Sequence, residues 1–204
     1  MKSLFKNSVY NILYRCLNVI FPLITVSYVS RVLQASGVGE VASATNIANY
    51  FTVLAALGLP TYGTKVIAAC RNKNELNKSF WELFSINMIS TLLFATSYYS
   101  MILIHPFFEK DVTLYCVVGL AIVFNFINVD WFYQGKEEFA YITIRSFVIK
   151  SLSMIAIFVF VRTKEDMLEY AMILTLSNVS NYIFNIIHIR KFISLSVPHL
   201  EIVQ

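Results

Sequence analysis

The chain has 204 residues, of which 57% are apolar and only 14% charged, and its formal net charge is +4. Soluble domains carry about a quarter charged residues, so this composition excludes an ordinary soluble domain. The low charge also excludes a disordered chain, and three scattered cysteines exclude a disulfide scaffold.

Six apolar runs follow one another along the chain, and each is long enough to cross about 30 Å of hydrocarbon as a helix. The first run is too long for a cleavable signal peptide and lacks a small-residue cleavage site, so we interpret it as a retained span. A closed barrel would need alternating strands of about ten residues, and these runs are longer and continuous. We therefore predict an all-α polytopic membrane protein, residues 1–190, with spans at about residues 8–32, 40–63, 82–104, 112–134, 144–161 and 168–189.

Lys and Arg are unevenly distributed between the two sets of connecting loops. With the N-terminus inside, most of them fall on the inner side, including Lys65, Arg71 and Lys136, and few fall on the outer side. Cytoplasmic loops are enriched in Lys and Arg, so we predict a multi-pass protein with both termini in the cytoplasm. Residues 190–204 would form a cytoplasmic tail or a truncated linker towards a further span.

The first predicted span carries a polar stripe. Asn11, Arg15, Asn18 and Pro22 are three or four residues apart, which places them on one face of a helix. Polar groups in hydrocarbon either bond neighbouring helices together or face a wet cavity. Arg15 either extends to the nearer interface or projects into a water-filled cavity, where its planar guanidinium would bind a phosphate through two parallel hydrogen bonds.

The last three predicted spans also carry polar side chains. Asp130 lies near the end of the fourth span, Arg145 and Lys150 lie near the start of the fifth, and the sixth carries Asn181 and Asn185 on one face. We predict that Asp130 pairs with one of the two cations, holds a gate closed, or takes part in proton coupling. Lys150 also adds positive charge within a span and predicts a cationic cavity for an anionic cargo.

Helix-breaking residues interrupt the first two predicted spans. Pro22 removes a backbone hydrogen bond in mid-span, and Gly58 with Pro60 does so near the end of the second span. Membrane helices tolerate such breaks because neighbouring groups or water can bond to the freed backbone N–H and C=O groups. Each position is therefore either a fixed kink or a hinge.

Motifs for catalysis and nucleotide binding are absent from the sequence. There is no GxxxxGK[ST], HExxH or GxSxG, so we expect neither an enzyme nor a cofactor. Cys16, Cys70 and Cys116 are isolated and the histidines do not cluster, so we expect free thiols and no metal site. The basic residues lie between apolar runs rather than in one block, so we expect no nucleic-acid partner.

Five segments carry a family resemblance, in order along the chain: FPLITVSYVSRVL at 21–33, GVG at 37–39, ALGLPTYGT at 56–64, DWFYQG at 130–135 and YITIR at 141–145. Together they resemble the Wzx-type polysaccharide flippases of the multidrug/oligosaccharidyl-lipid/polysaccharide exporter superfamily. The resemblance implies translocation of an undecaprenyl-pyrophosphate-linked oligosaccharide across a bacterial cytoplasmic membrane, for O-antigen (lipopolysaccharide), capsule or exopolysaccharide assembly. We expect alternating access between two lobes, driven by an ion gradient because the sequence has no nucleotide-binding motif.

The resemblance also gives roles to the polar residues of the spans. Substrate binding would fall to Arg15, at the phosphate, and to Asn11, Asn18, Asn181 and Asn185, at the sugars. Coupling or gating would fall to Asp130, Arg145 and Lys150, and bending to Pro22, Gly58 and Pro60.

This family has two helical lobes around a central cavity, and the chain is long enough for the first lobe only. We expect a truncated half, or two copies that assemble into a transporter. Expected partners are the lipid-linked oligosaccharide, membrane lipids, a second lobe or second copy, a polysaccharide polymerase and glycosyltransferases. Two alternatives stay open: a cation-coupled drug exporter of the same superfamily, which would need buried carboxylates for a cationic cargo, and a non-functional remnant that inserts but transports nothing.

Overall fold

A computed structural model describes residues 2–193 of the chain, with side chains described from Ser8 onwards. This part of the chain contains helices and no strand, which confirms the predicted all-α class. Of the predicted tail at 190–204, residues 194–204 lie outside the described residues. The α-helices are α1 (Lys2–Val32), α2 (Gln34–Ala56), α3 (Leu59–Ala69), α4 (Lys73–Ile104), α5 (Val112–Val123), α6 (Asp130–Gly135), α7 (Phe139–Phe160) and α8 (Met167–His188).

Six helical segments in the described part of the chain are long and apolar enough to cross a membrane. Helices α1, α4 and α7 each supply one, α2 and α3 together supply the second, and α5 and α8 supply one each with their flanking 3-10 turns. The predicted bundle of about six spanning helices is therefore confirmed. The segments are Ser8–Val32, Gln34–Ala69, Lys73–Ile104, Pro106–Ile127, Phe139–Phe160 and Met167–Lys191.

The second predicted span, 40–63, is interrupted in the structure. Helix α2 begins at Gln34 and ends at Ala56, because Leu57 and Gly58 adopt left-handed conformations with φ of 46° and 73°. Glycine adopts this conformation without the steric cost that a side chain adds. Pro60 then lies in the first turn of α3, where its missing N–H leaves no helical hydrogen bond unmade.

The fourth predicted span, 112–134, is also interrupted. Helix α5 ends at Val123, a 3-10 turn follows, and α6 begins only at Asp130. The Nδ2 group of Asn87, on α4, donates to the main-chain carbonyls of Asn125 and Phe126 at 3.1 and 3.2 Å. A side chain from another helix thus bonds carbonyls that a continuous helix would pair with its own N–H groups.

Two apolar cores lie at opposite ends of the bundle, and a layer of buried polar side chains separates them. Helix α4 crosses both cores, with Phe80 in one and Tyr98 in the other. Between these residues it carries Asn87, Ser90 and Thr91, all buried. Helix α1 packs mainly on α7, and most of its remaining surface is exposed.

Helices α3 and α6 pack very closely because each contributes a glycine to the contact. A Cβ atom placed on Gly63 would lie 2.8 Å from Cε3 of Trp131, and one placed on Gly135 would lie 2.8 Å from the carbonyl oxygen of Thr64. The Thr64 hydroxyl also donates to the carbonyl of Trp131, at 3.3 Å. Two segments that carry the family resemblance, 56–64 and 130–135, therefore contact each other.

Candidate functional site

An ion pair between α6 and α7 lies at the centre of the candidate site. The Nη2 atom of Arg145 is 3.1 Å from Oδ1 of Asp130, and the two side chains are only 5% and 24% exposed. A charge that is removed from water needs a partner of opposite sign. Here the carboxylate of Asp130 and the guanidinium of Arg145 neutralise each other. Lys150 lies elsewhere: its ammonium donates to Oδ1 of Asn18, on α1, at 2.8 Å.

Two asparagines of α8 bond to the ion pair, and the hydroxyl of Tyr14, on α1, also interacts with Asp130. Asn185 is fully buried; its Nδ2 donates to Oδ1 of Asp130 at 2.6 Å, and its Oδ1 accepts from Nη1 of Arg145. Asn181, one turn earlier, accepts from Nε of Arg145 at 3.1 Å and from the hydroxyl of Ser146 at 3.3 Å. The rigid guanidinium is thus held along two edges, which joins α6, α7 and α8.

Aromatic side chains surround this network. The phenol of Tyr133 donates to the main-chain carbonyl of Asn185 at 2.7 Å, and the phenol of Tyr141 donates to that of Phe184 at 2.8 Å. The guanidinium carbon of Arg145 lies 5.7 Å from the centroid of the Tyr141 ring. The ring of His188 stacks on the ring of Tyr141, and the two ring centroids are 3.9 Å apart. These contacts anchor α6 and α7 to α8.

Asp130 also lines a cavity of about 190 Å³. On one side the cavity is lined by Pro60, at the α2–α3 break. On the other side it is lined by polar residues of α4 and of the interrupted fourth span, including Asn87, Asn125 and Gln134. Neither Arg145 nor the α8 asparagines line it. The carboxylate therefore belongs both to the ion-pair network and to the cavity wall.

The predicted stripe on α1 lies on the surface of the bundle. Arg15 is exposed, and its Nε donates to Oδ1 of Asn11 at 3.2 Å. Asn18, one turn further along, donates to the carbonyl of Tyr14 at 3.0 Å and accepts from Lys150. The five residues predicted to bind substrate thus form two groups: Asn11, Arg15 and Asn18 on the surface of α1, and half-buried Asn181 with buried Asn185 on α8.

The three predicted hinge residues occupy different settings. Pro22 lies inside α1, which continues past it, and the hydroxyl of Thr25 donates to the carbonyls of Phe21 and Pro22 at 2.9 and 3.2 Å. Gly58 and Pro60 lie at the break between α2 and α3. Bending at these positions stays a prediction.

Sequence reasoning missed several residues of the site. Asn87 is a single amide within an apolar run, which is the same signal that identified asparagines on other spans. Tyr133 and Tyr141 lie in two segments that carry the family resemblance, but no site role was predicted for them, because aromatic residues near a span end are typical of an interfacial belt. Within the described part of the chain, Cys16, Cys70 and Cys116 are unpaired, and no three His, Cys, Asp or Glu side chains converge.

The chain is similar to one protein family and to two known proteins. A family model described as "Polysaccharide biosynthesis protein" matches residues 4–201. The chain is 30% identical over 169 residues to a "Putative O-antigen transporter" of Escherichia coli (strain K12), a match that covers 80% of this chain and 40% of that protein. It is 24% identical over 175 residues to a "Putative O-antigen transporter" of Shigella dysenteriae, covering 84% and 42%. The chain thus spans less than half the length of these relatives, and no solved structure matches it.

Proposed function

We propose that this chain takes part in moving undecaprenyl-pyrophosphate-linked oligosaccharides across a bacterial cytoplasmic membrane, because it belongs to the polysaccharide biosynthesis protein family. The resemblance to the Wzx-type polysaccharide flippases is confirmed by the family match and by the two relatives, each named an O-antigen transporter. In this role the chain is a transporter rather than an enzyme. Both of its termini lie in the cytoplasm.

The observation that carries the proposal for the cargo is the cationic stripe on α1. Arg15 is an exposed guanidinium in the middle of an apolar surface, and Asn11 fixes one edge of it. One turn away, Asn18 holds the ammonium of Lys150 against the same helix. Two cations and two amides side by side suit a pyrophosphate that carries sugars, because the charges bind phosphate and the amides bind hydroxyls.

The ion-pair network supplies the proposed coupling step. A proton transferred to Asp130 from an ion gradient would remove the charge that balances Arg145, and the contacts between α6, α7 and α8 would weaken. Asn181 and Asn185 would then be released from the guanidinium and become available to sugar hydroxyls. Alternating access follows if a second lobe, or a second copy of the chain, rocks against this bundle while Pro22 and the α2–α3 break absorb the bending.

The experiment that tests the proposed function is complementation. The chain is expressed in a bacterial strain that lacks its O-antigen transporter, alone and together with the remaining part of the Escherichia coli transporter. We expect surface O-antigen to return at least when the second part is present. Restoration by the chain alone would support assembly of two copies. No restoration by either combination, with the protein detected in the membrane, would contradict the proposed cargo, and resistance to cationic drugs in its place would support the drug exporter.

Variants of Arg15 test the stripe in whichever combination restores O-antigen. Arg15→Ala should reduce surface O-antigen at least about tenfold, because a charge-assisted pair to phosphate is lost. Arg15→Lys should retain part of the activity, since it keeps the charge but loses the planar fork. Arg71→Ala, which removes an exposed arginine from the connection between α3 and α4, is the matched control and should have no effect. Equal activity of Arg15→Ala and the control would remove Arg15 from the substrate site.

A further inference from the structure

Three residues that line the cavity beside Asp130 each carry a buried polar atom. Oδ1 of Asn87, Nδ2 of Asn125 and Nε1 of Trp131 have no hydrogen-bond partner within the part of the chain that the structure describes. The three residues are only 3%, 1% and 2% exposed, and all three line the same cavity of about 190 Å³. Buried polar atoms in proteins are almost always hydrogen-bonded, so three such atoms around one cavity indicate a ligand.

The protein itself cannot rearrange easily to satisfy these atoms. The Nδ2 group of Asn87 is held on the carbonyls of Asn125 and Phe126, which turns its Oδ1 away from them. Oδ1 of Asn125 accepts from Asn128 at 3.3 Å, which leaves its Nδ2 for the cavity. The Trp131 indole is held between Gly63 and the ring of Phe80, 5.8 Å away, so it cannot turn to another acceptor.

The chemistry of the wall selects the ligand. The residues that line the cavity carry one unpaired acceptor, two unpaired N–H donors and the carboxylate of Asp130. An anion would be repelled by the carboxylate, a metal ion would meet two N–H groups instead of oxygen ligands, and an apolar group would leave all three atoms unpaired. Water both donates and accepts, and a cavity of about 190 Å³ is large enough for several water molecules.

We propose that this cavity is a binding site for a cluster of water molecules that gives the Asp130 carboxylate access to the aqueous phase from the side of the α2–α3 break. Asp130 is then bonded to Arg145 and Asn185 through Oδ1, interacts with the hydroxyl of Tyr14 on α1, and is hydrated from the cavity. A hydronium ion in this cluster can transfer its proton to the carboxylate, which leaves a neutral carboxylic acid and a water molecule. The proton does not need to pass the buried network on α7 and α8.

Thiol accessibility tests this site without any measurement of transport. Asn87→Cys and Ile86→Cys are made separately in the full chain after replacement of Cys16, Cys70 and Cys116, and membranes are treated with 2-aminoethyl methanethiosulfonate. Only a hydrated thiol ionises and reacts, so Asn87→Cys should react at least about 100-fold faster than Ile86→Cys. Ile86 is a matched control, because it is the neighbouring residue on α4 and lies 48% exposed on the outer surface of the bundle. Equal, slow reaction at both positions would overturn the proposal.

A second pair of variants identifies the route of access and covers a failure of Asn87→Cys to fold. Asn128→Cys, on another wall of the cavity, should also react, and adding Ala56→Phe to fill the cavity should slow this reaction at least about tenfold. Val53→Phe, on the exposed surface of the same helix, should not slow it. Reaction that Ala56→Phe leaves unchanged would place the water elsewhere and overturn the assignment. Failure of O-antigen complementation with rapid labelling of these thiols would contradict the proposed function and leave the water site standing.

Discussion

Asp130 and Arg145 show how one charged residue makes another tolerable inside an apolar bundle. The Arg145 side chain is only 5% exposed, and it meets one carboxylate, two amides and one hydroxyl. Such a buried pair adds little stability in comparison with an apolar pair, but the loss of one partner leaves an uncompensated charge. The stability of the bundle is therefore sensitive to the loss of either charge.

A double-mutant cycle measures this dependence. Asp130→Ala should lower the free energy of unfolding by about 3–5 kcal/mol, because the guanidinium of Arg145 stays buried without its carboxylate. Adding Arg145→Met should recover part of this loss, so that the double variant is more stable than the sum of the single effects predicts. Unfolding of the purified protein in mixed detergent micelles measures both quantities. Glu165→Ala, at an exposed residue, is the control, and additive effects would contradict the coupling.

Asp166 stabilises the connection between α7 and α8 by accepting hydrogen bonds from main-chain N–H groups. Its Oδ2 accepts from the N–H groups of Arg162 and Thr163 at 2.8 and 2.7 Å, and these bonds hold the pKa of the carboxyl below its usual 3.8. Because the folded-state pKa is the lower one, the stabilisation is complete well above pH 3.8 and is lost as the pH falls through the folded-state value.

Hydrogen exchange at these two amides tests the loop. Protection of the Arg162 and Thr163 amides, corrected for intrinsic exchange, should be constant near neutral pH and decrease below the unfolded pKa of 3.8. Asp166→Asn should lower protection near neutral pH to about the level that the parent protein reaches at low pH, and should abolish this dependence, because the charged acceptor is gone. Glu165→Gln should behave as the parent protein. A pH dependence that persists in Asp166→Asn would assign it to another group.

At the scale of elements, interruptions of two spans create the surroundings of Asp130. The break at Leu57 and Gly58 redirects the chain into α3, and the break after Val123 allows α6 to pack on α3. Their close contact depends on Gly63 and Gly135. Because α6 begins with Asp130, this contact also positions the carboxylate.

Substitution of a contact glycine tests that packing. Gly135→Ala should lower the free energy of unfolding by about 1–3 kcal/mol, because its new methyl group would meet main-chain and branched side-chain atoms. Gly39→Ala should be neutral or stabilising, by up to about 1 kcal/mol, since it gains helix propensity and a Cβ atom there meets nothing within 4 Å. Thermal unfolding in detergent compares the two variants. Equal melting temperatures would mean that α3 and α6 can separate without cost.

At the scale of the whole molecule, the two apolar cores and the polar layer between them form one body whose ends differ in charge. The end that contains the α3–α4 and α6–α7 connections carries exposed Arg71, Lys73 and Lys136. At the other end, Lys110 pairs with Glu40 at 3.4 Å. This asymmetry favours a cytoplasmic position for the first end.

Cysteine labelling from outside the cell determines the orientation. In a background without native cysteines, Lys164→Cys should react with a membrane-impermeant maleimide added to intact cells, and Lys136→Cys should react only after the cells are opened. Both side chains are exposed in loops, so a difference in labelling between the two positions cannot come from burial within the bundle. The reverse pattern would place the termini outside.

The length and apolar content of the runs were enough to determine the all-α class and the six spans, because a segment in hydrocarbon must satisfy its own backbone hydrogen bonds and can do so only as a helix. The motifs were enough to indicate the family. The sequence could not choose the partner of Asp130, because Arg145 and Lys150 are five residues apart and project about 140° from each other, so the rotation of α7 in the bundle decides between them. Nor could it locate the break after Val123, because the bonds that maintain the break come from Asn87 on another helix, and only the tertiary structure brings that side chain to those carbonyls.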